Sequence, residues 1–133
     1  MVDKAAIRRS LIILALSDST FLDNSIMFLI TAVVRPEKTY PILGALAEAG
    51  YYGMSRWDVV GRGKQKGITV GEVNYEEMPK NMLYIVADEE DKDPIIDIII
   101  ASAQSGESGN AGDGRIFVSP ITEAYTISSS TKD

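Results

Sequence analysis

The sequence predicts an α+β fold, one sheet carrying two helices on a single face. Three observations predict it. Short apolar runs rich in branched residues recur between clusters of Gly, Pro and charge; two intervening segments carry apolar residues at helical spacing; and 133 residues suffice for one domain with a modest core.

The first strand is Met27 to Val34, MFLITAVV, bounded by Arg35-Pro36. A helix follows with Pro41 in its first turn, apolar positions Ile42, Ala45, Leu46 and Ala49, and Gly50 as its stop. Met54 to Val60 reads as the second strand. It ends at Gly61-Arg62-Gly63-Lys64-Gln65-Lys66-Gly67, where glycine and charge oppose a continuing buried strand, and a polar excursion runs to Pro79. Met82 to Ala87 is the third strand, and Asp88-Glu89-Glu90-Asp91 a solvated turn. Asp93 is the expected N-cap of the second helix, before Pro94, with Ile95, Ile98, Ile99 and Ser102 inward. Ile96 and Ile100 widen that face, as a subunit contact would. Ser105 to Gly114 is loop. Arg115 to Ile127 is the last extended segment, broken at Pro120, and the residues around Asp133 are expected to fray.

The order strand, helix, strand, strand, helix, strand is the βαββαβ, ferredoxin-like arrangement. Its second sheet face is bare in a monomer, so oligomerisation is expected. The architecture alone assigns no function.

Composition removes whole classes of chemistry. The chain has no Cys and no His, which excludes disulfides, thiolate catalysis, His-metal sites and Ser-His-Asp machinery. A formal net charge of -6 disfavours nucleic acid and anionic lipid as partners. Lys4, Arg8 and Arg9 precede Leu11 to Leu16 in the manner of a signal peptide, but Asp18 and Asp23 interrupt the run well short of the roughly 18 residues that a span needs. No membrane insertion is expected, and a cytoplasmic location is. Residues 1–26 are read as an N-terminal extension without function, disordered or a misassigned start, because Met27, a second possible start, opens the first strand.

Two stretches carry candidate chemistry. In Gly61 to Gly67, glycines allow tight turns that aim backbone N–H groups at an anion, and Lys64 and Lys66 supply positive charge. The spacing is neither a Walker A nor a dinucleotide fingerprint, and taken alone the run is an ordinary solvated turn. Gly112-Asp113-Gly114-Arg115 is, alone, a turn signal. In a βαββαβ order the two loops can approach, within or between subunits, and Arg56, Arg62, Lys64, Lys66 and Arg115 then concentrate positive charge suited to a triphosphate. The acids Glu72, Glu76, Glu77 and Asp88 to Asp91 read as a solvated face, and Trp57 as a packing aromatic.

Three motifs in order, AVVRPEK at Ala32 to Lys38, GRGKQKG at Gly61 to Gly67 and GDGRIFV at Gly112 to Val118, resemble those of the PII nitrogen-regulatory family. The resemblance spans a PII-like domain, residues 27–128, followed by a short tail, residues 129–133. It implies a trimer or related oligomer with ATP or ADP between subunits, Mg with ATP, and 2-oxoglutarate as effector ligand. It further implies a long T-loop between strands 2 and 3, here Arg62 to Met78, that contacts a target, and no catalysis. Gly61, Gly63, Lys64, Gly112, Asp113, Gly114 and Arg115 are the implied phosphate contacts, and Ser55 a nucleotide contact. Gln65 is the implied magnesium and 2-oxoglutarate contact, and Lys80 a partner of a 2-oxoglutarate carboxylate.

The chain also departs from the familiar pattern. Thr126 and Ser128 stand where bacterial members carry arginine, Glu107 to Ala111 lengthens the second loop, and Tyr75 does not match the uridylylated tyrosine. SRWDVVGRGKQKGI with a short loop resembles the nitrogenase-operon branch, which implies a second PII-like paralogue as co-partner and dinitrogenase as target. The alternatives are a PII protein that gates an ammonium channel, and a nucleotide-hydrolysing enzyme or its regulatory domain on the same fold.

Overall fold

The computed structural model describes residues 26–64 and 75–133. The N-terminal extension apart from Ile26, and Gln65 and Lys66, lie outside the described residues.

Strand β1 (Met27–Val34) leads through a 3-10 turn (Pro36–Lys38) into helix α1 (Thr39–Glu48). Strands β2 (Ser55–Lys64) and β3 (Tyr75–Asp88), helix α2 (Glu89–Ala103) and strand β4 (Gly114–Ile121) follow, then the two-residue strands β5 (Tyr125–Thr126) and β6 (Thr131–Lys132). The main sheet has the order β2-β3-β1-β4 and all three of its pairings are antiparallel. This is the expected ferredoxin-like α+β fold.

Alternation along the strands sets the core. Ile30, Ala32 and Val34 of β1 and Leu83, Ile85 and Ala87 of β3 are buried beneath Ile42 and Leu46 of α1 and Ile95, Ile99 and Ala103 of α2. Beyond α1, the backbone N–H groups of Gly50 and Tyr51 donate to the carbonyls of Ala47 and Leu46 at 2.9 and 2.8 Å. Gly50 has φ +92, the left-handed backbone that lets glycine close a helix in this way.

Four expectations are corrected. The glycine-rich run does not end β2: Gly61 to Lys64 pair with Met78 to Tyr75. Glycine opposes a buried strand, but here the two strands outrun the sheet as a ribbon whose backbone groups satisfy each other. Pro79 fits because β1 stops at the Val34–Asn81 pair, which leaves β3 a side with no ladder to complete. Arg62 to Lys64 and Tyr75 to Met78, assigned to the T-loop, are therefore strand.

Helix α2 begins at Glu89 with Asp88 as N-cap, and Pro94 lies inside it. The acidic run taken for a turn forms the first helical turn, where negative charge is favoured by the helix dipole. Pro120 does not break β4 but pairs with Phe28, as proline can on an edge strand. The chain end is not frayed: β5 and β6 form a hairpin, closed by Asp133, whose N–H donates to the Ala124 carbonyl at 2.8 Å.

The sheet face away from the helices carries Trp57 at 41%, Tyr84 at 39% and Phe117 at 52% exposure. Trp57 and Tyr84 meet edge to face with centroids 4.5 Å apart.

Candidate functional site

One register position organises the site. Val34 at the end of β1 pairs with Asn81 on one side and Gly114 on the other, so the Gly112–Gly114 turn and the root of the β2–β3 ribbon flank the same strand end. Gly114 has φ +120 and a Cβ there would lie 1.8 Å from the Val33 carbonyl oxygen, so only glycine fits. Gly112, with φ +94, has its missing Cβ position 3.0 Å from Arg35 Nη2.

Lys80 joins the two glycine segments. It is one residue past the end of β1, paired with Val59, and only 9% exposed. Its stem lies against Gly61, whose added Cβ would meet Lys80 Cγ at 3.1 Å. Its ammonium donates to the Gly112 carbonyl. Within one chain, sequence positions far apart thus share one cationic side chain.

Asp113 shapes its own loop. Its Oδ2 accepts from the Ser105 N–H at 3.0 Å and the Asn110 N–H at 2.8 Å. Its Oδ1 accepts from Ser105 Oγ at 2.5 Å and Arg35 Nε at 3.1 Å. The Ser105 hydroxyl first, then the backbone N–H groups of Ser105 and Asn110, and least of all Arg35, hold its carboxyl well below the usual carboxylate range, against the opposing effect of burial. All these bonds favour the charged form.

A buried polar chain anchors the ribbon root. Thr39 Oγ1 donates to Asn81 Oδ1 at 2.5 Å, and Asn81 Nδ2 donates to Asp58 Oδ1 at 2.8 Å. It ties α1, β3 and β2 together beside Lys80.

The expected site residues divide accordingly. Gly61, Lys80, Gly112, Asp113 and Gly114 come together. Arg115 pairs with Val33 next to the turn, with its guanidinium 5.6 Å from the Phe117 ring centroid. At Gly63 no other group among the described residues comes within 4 Å of where a Cβ would sit, and Lys64 ends the described ribbon opposite Tyr75. Ser55 is not with the cluster: it pairs with Tyr84, in a row completed by Thr31 and Phe117, three residues along β2 from the row of Asn81, Val34 and Gly114. Arg56 leaves the expected cationic group as well. It lies on the helix face of β2, 5.3 Å from the Tyr40 ring centroid, and donates to the Tyr40 hydroxyl at 3.3 Å. Gln65 lies outside the described residues.

Arg35, Ser105 and Asn110 were not singled out as site residues. The signal for Arg35 was the proline after it, which disfavours helical backbone at the preceding residue and fits its observed φ -63 and ψ 139. Ser105 and Asn110 carry no such mark, since serine and asparagine are common in any loop.

A family model described as nitrogen regulatory protein P-II matches residues 27–131. The chain belongs to the PII family. It is 49% identical over 106 residues to a nitrogen fixation nifHD2 region GlnB-like protein 1 of Methanosarcina barkeri, covering 80% of this chain and 98% of the relative. It is 45% identical over 101 residues to a nifHD region GlnB-like protein 1 of Methanothermobacter marburgensis, covering 76% and 93%. These relatives assign this PII protein to the nitrogenase-operon, PII-like branch. Among solved structures, GlnK of B. subtilis in complex with ATP superposes with a TM-score of 0.69 at 22% identity, over 80% of this chain and 92% of that one, which matches the fold. No helix among the described residues is long and apolar enough to cross a membrane.

Proposed function

We propose that this PII protein senses nitrogen and energy status by binding ATP or ADP and 2-oxoglutarate, and regulates dinitrogenase through the segment at the tip of the β2–β3 ribbon. The observation that carries the reading is Lys80 spanning Gly61 and Gly112. A cation held between two glycine segments, one with two left-handed glycines, suits a polyphosphate or dicarboxylate.

The residues fit a nucleotide. Lys80 and Arg115 supply charge, the Gly112–Gly114 turn lets backbone approach closely, and the only carboxylate in the turn already has both oxygens engaged by its own donors. Ser55 joins such a site from a second copy, across the bare sheet face, which favours the trimer typical of the family. Among the described residues no cluster of three or more acidic side chains is built for a cation. By the family resemblance, magnesium would be held by the phosphates and Gln65, and it would neutralise phosphate charge and offer 2-oxoglutarate a coordination site.

Signalling follows from competition for Lys80. Its ammonium bonds the Gly112 carbonyl, and a 2-oxoglutarate carboxylate offers a stronger, charge-assisted partner. Moving Lys80 disturbs Gly61 at the base of the ribbon and biases the ribbon tip. Inverting a 1:99 population takes about 5.5 kcal/mol of differential binding, to which Lys80 and Gln65 contribute a share and oligomeric sites add more. Dinitrogenase is favoured over an ammonium channel as target because the relatives carry nifHD-region names, and a second PII-like paralogue is the expected co-partner.

Calorimetry tests the reading. ATP and ADP should each bind, and 2-oxoglutarate should bind only with Mg-ATP present; folded protein that binds no nucleotide would sink the proposal. Pull-down from nitrogen-starved cells should recover dinitrogenase, and recovery of an ammonium channel in its place would redirect the target.

A further inference from the structure

The Gly112–Gly114 turn is gripped from outside by a side chain of β1's exit. We infer that Arg35 is the positioning residue of this turn: it does not bind the anion itself but sets the turn's shape and cancels the charge of Asp113 inside it. The inference rests on reading the turn as an anion site.

Placement comes first. Val34 is bonded into the sheet between Asn81 and Gly114, so the next residue leaves the sheet beside the turn. Pro36 then restricts Arg35 to extended backbone, and its φ -63 and ψ 139 lie there. The side chain thus emerges in a fixed direction from a fixed strand end.

Its guanidinium holds two points at once. Nε donates to Asp113 Oδ1 at 3.1 Å, and Nη2 donates to the Ala111 carbonyl at 3.0 Å. The same Nη2 fills the space where a Cβ on Gly112 would sit, 3.0 Å away. One planar fork therefore fixes Ala111, Gly112 and Asp113 relative to β1. A lysine keeps the charge but not this fork.

Neutralisation is the second consequence. An unpaired carboxylate in the middle of a turn that receives a polyanion would repel it. Here both oxygens of Asp113 are engaged, and the side chains of Arg35 and Asp113 are 22% and 15% exposed, so the pair is partly shielded from solvent. Arg35 is committed to Asp113 and Ala111, leaving Lys80 and Arg115 to meet the anion.

The alternative is that Arg35 touches the phosphates directly, and a double-mutant cycle separates the two. The full chain is titrated with ATP as wild type, Arg35→Gln, Asp113→Asn, the double variant and Arg35→Lys, with amide hydrogen exchange measured without ligand. Each single removal should weaken ATP about tenfold, and the double variant should be no worse than about threefold beyond the weaker single, because both act through one contact. Arg35→Lys should fall nearer to Arg35→Gln than to wild type. Exchange should quicken at the Asn110 and Asp113 amides while the β1 and β3 amides stay protected.

Full additivity would make Arg35 a ligand of the phosphates and overturn the inference. Binding within twofold of wild type in Arg35→Gln or Arg35→Lys would overturn it too. Wild-type protein that binds no ATP would defeat the proposed function instead. In that case exchange decides: loss of protection at Asn110 and Asp113 in Arg35→Gln upholds the positioning role, and unchanged protection ends it.

Discussion

Lys80 donates a hydrogen bond from its ammonium to the carbonyl of Gly112, thirty-two residues away in sequence, while its stem covers Gly61. That single side chain is the physical link between the ribbon root and the loop before β4.

Lys80→Met keeps the stem and removes the charge. A hydrogen bond to a charged group contributes about 1.5–3 kcal/mol, so ATP affinity should fall roughly 10- to 100-fold by calorimetry, and the 2-oxoglutarate response should disappear. Unchanged binding would place the ligand elsewhere.

The depressed Asp113 carboxyl makes loop stability depend on pH with a definite sign. A group whose folded pKa lies below its unfolded value, about 3.9 for Asp, stabilises the fold fully above that unfolded value and loses its contribution as pH falls toward the folded one. The cause is chiefly the Ser105 hydroxyl and the loop amides. Urea unfolding should therefore show wild type more stable than Asp113→Asn at pH 7, with the gap unchanged down to about pH 5 and narrowing below about pH 4. A constant gap down to pH 3 would contradict the pairing.

Gly114→Ala and Gly63→Ala should differ sharply. At Gly114 a Cβ falls 1.8 Å from the Val33 carbonyl oxygen, whereas at Gly63 nothing among the described residues stands within 4 Å. The first should lower stability by about 3 kcal/mol or more, and the second should stay within about 0.5 kcal/mol, read as thermal midpoints of the two variants.

Asn81→Leu breaks both the Thr39 and Asp58 bonds. It leaves a buried Thr39 hydroxyl without its partner, at a cost of about 1–3 kcal/mol. Denaturant midpoints measure this, and loss of under 0.5 kcal/mol would show that the network is slack.

The bare face of Trp57, Tyr84 and Phe117 predicts self-association. Phe117→Asp puts a charge in that face and should shift sedimentation from trimer toward monomer with little change in the circular dichroism of the monomer. A monomeric wild type would remove the basis for shared sites.

Much of this was legible in the chain itself. The apolar, branched run MFLITAVV bounded by Arg35-Pro36 marked β1 to the residue, the spacing of Ile42 and Leu46 with Gly50 marked α1 and its end, and the order of elements marked the fold, because each is a local consequence of side-chain character and backbone preference. GRGKQKG and GDGR marked two candidate turns, and Lys80 came from resemblance. Local signals misjudged Pro94, Pro120 and the glycine ribbon. A helix cap, an edge strand and a two-stranded extension depend on which neighbours are absent, and the sequence does not print its neighbours.

The sequence by itself determined which residues could line a turn, carry charge or fill a core, since those are properties of side chains and short windows. Only the tertiary structure decided that Arg35 grips Asp113, that Lys80 bridges Gly61 to Gly112, and that Arg56 and Ser55 stand apart from them. Those relations follow from the register of β1 between β3 and β4, and register is set by the whole sheet packing its apolar rows against α1 and α2.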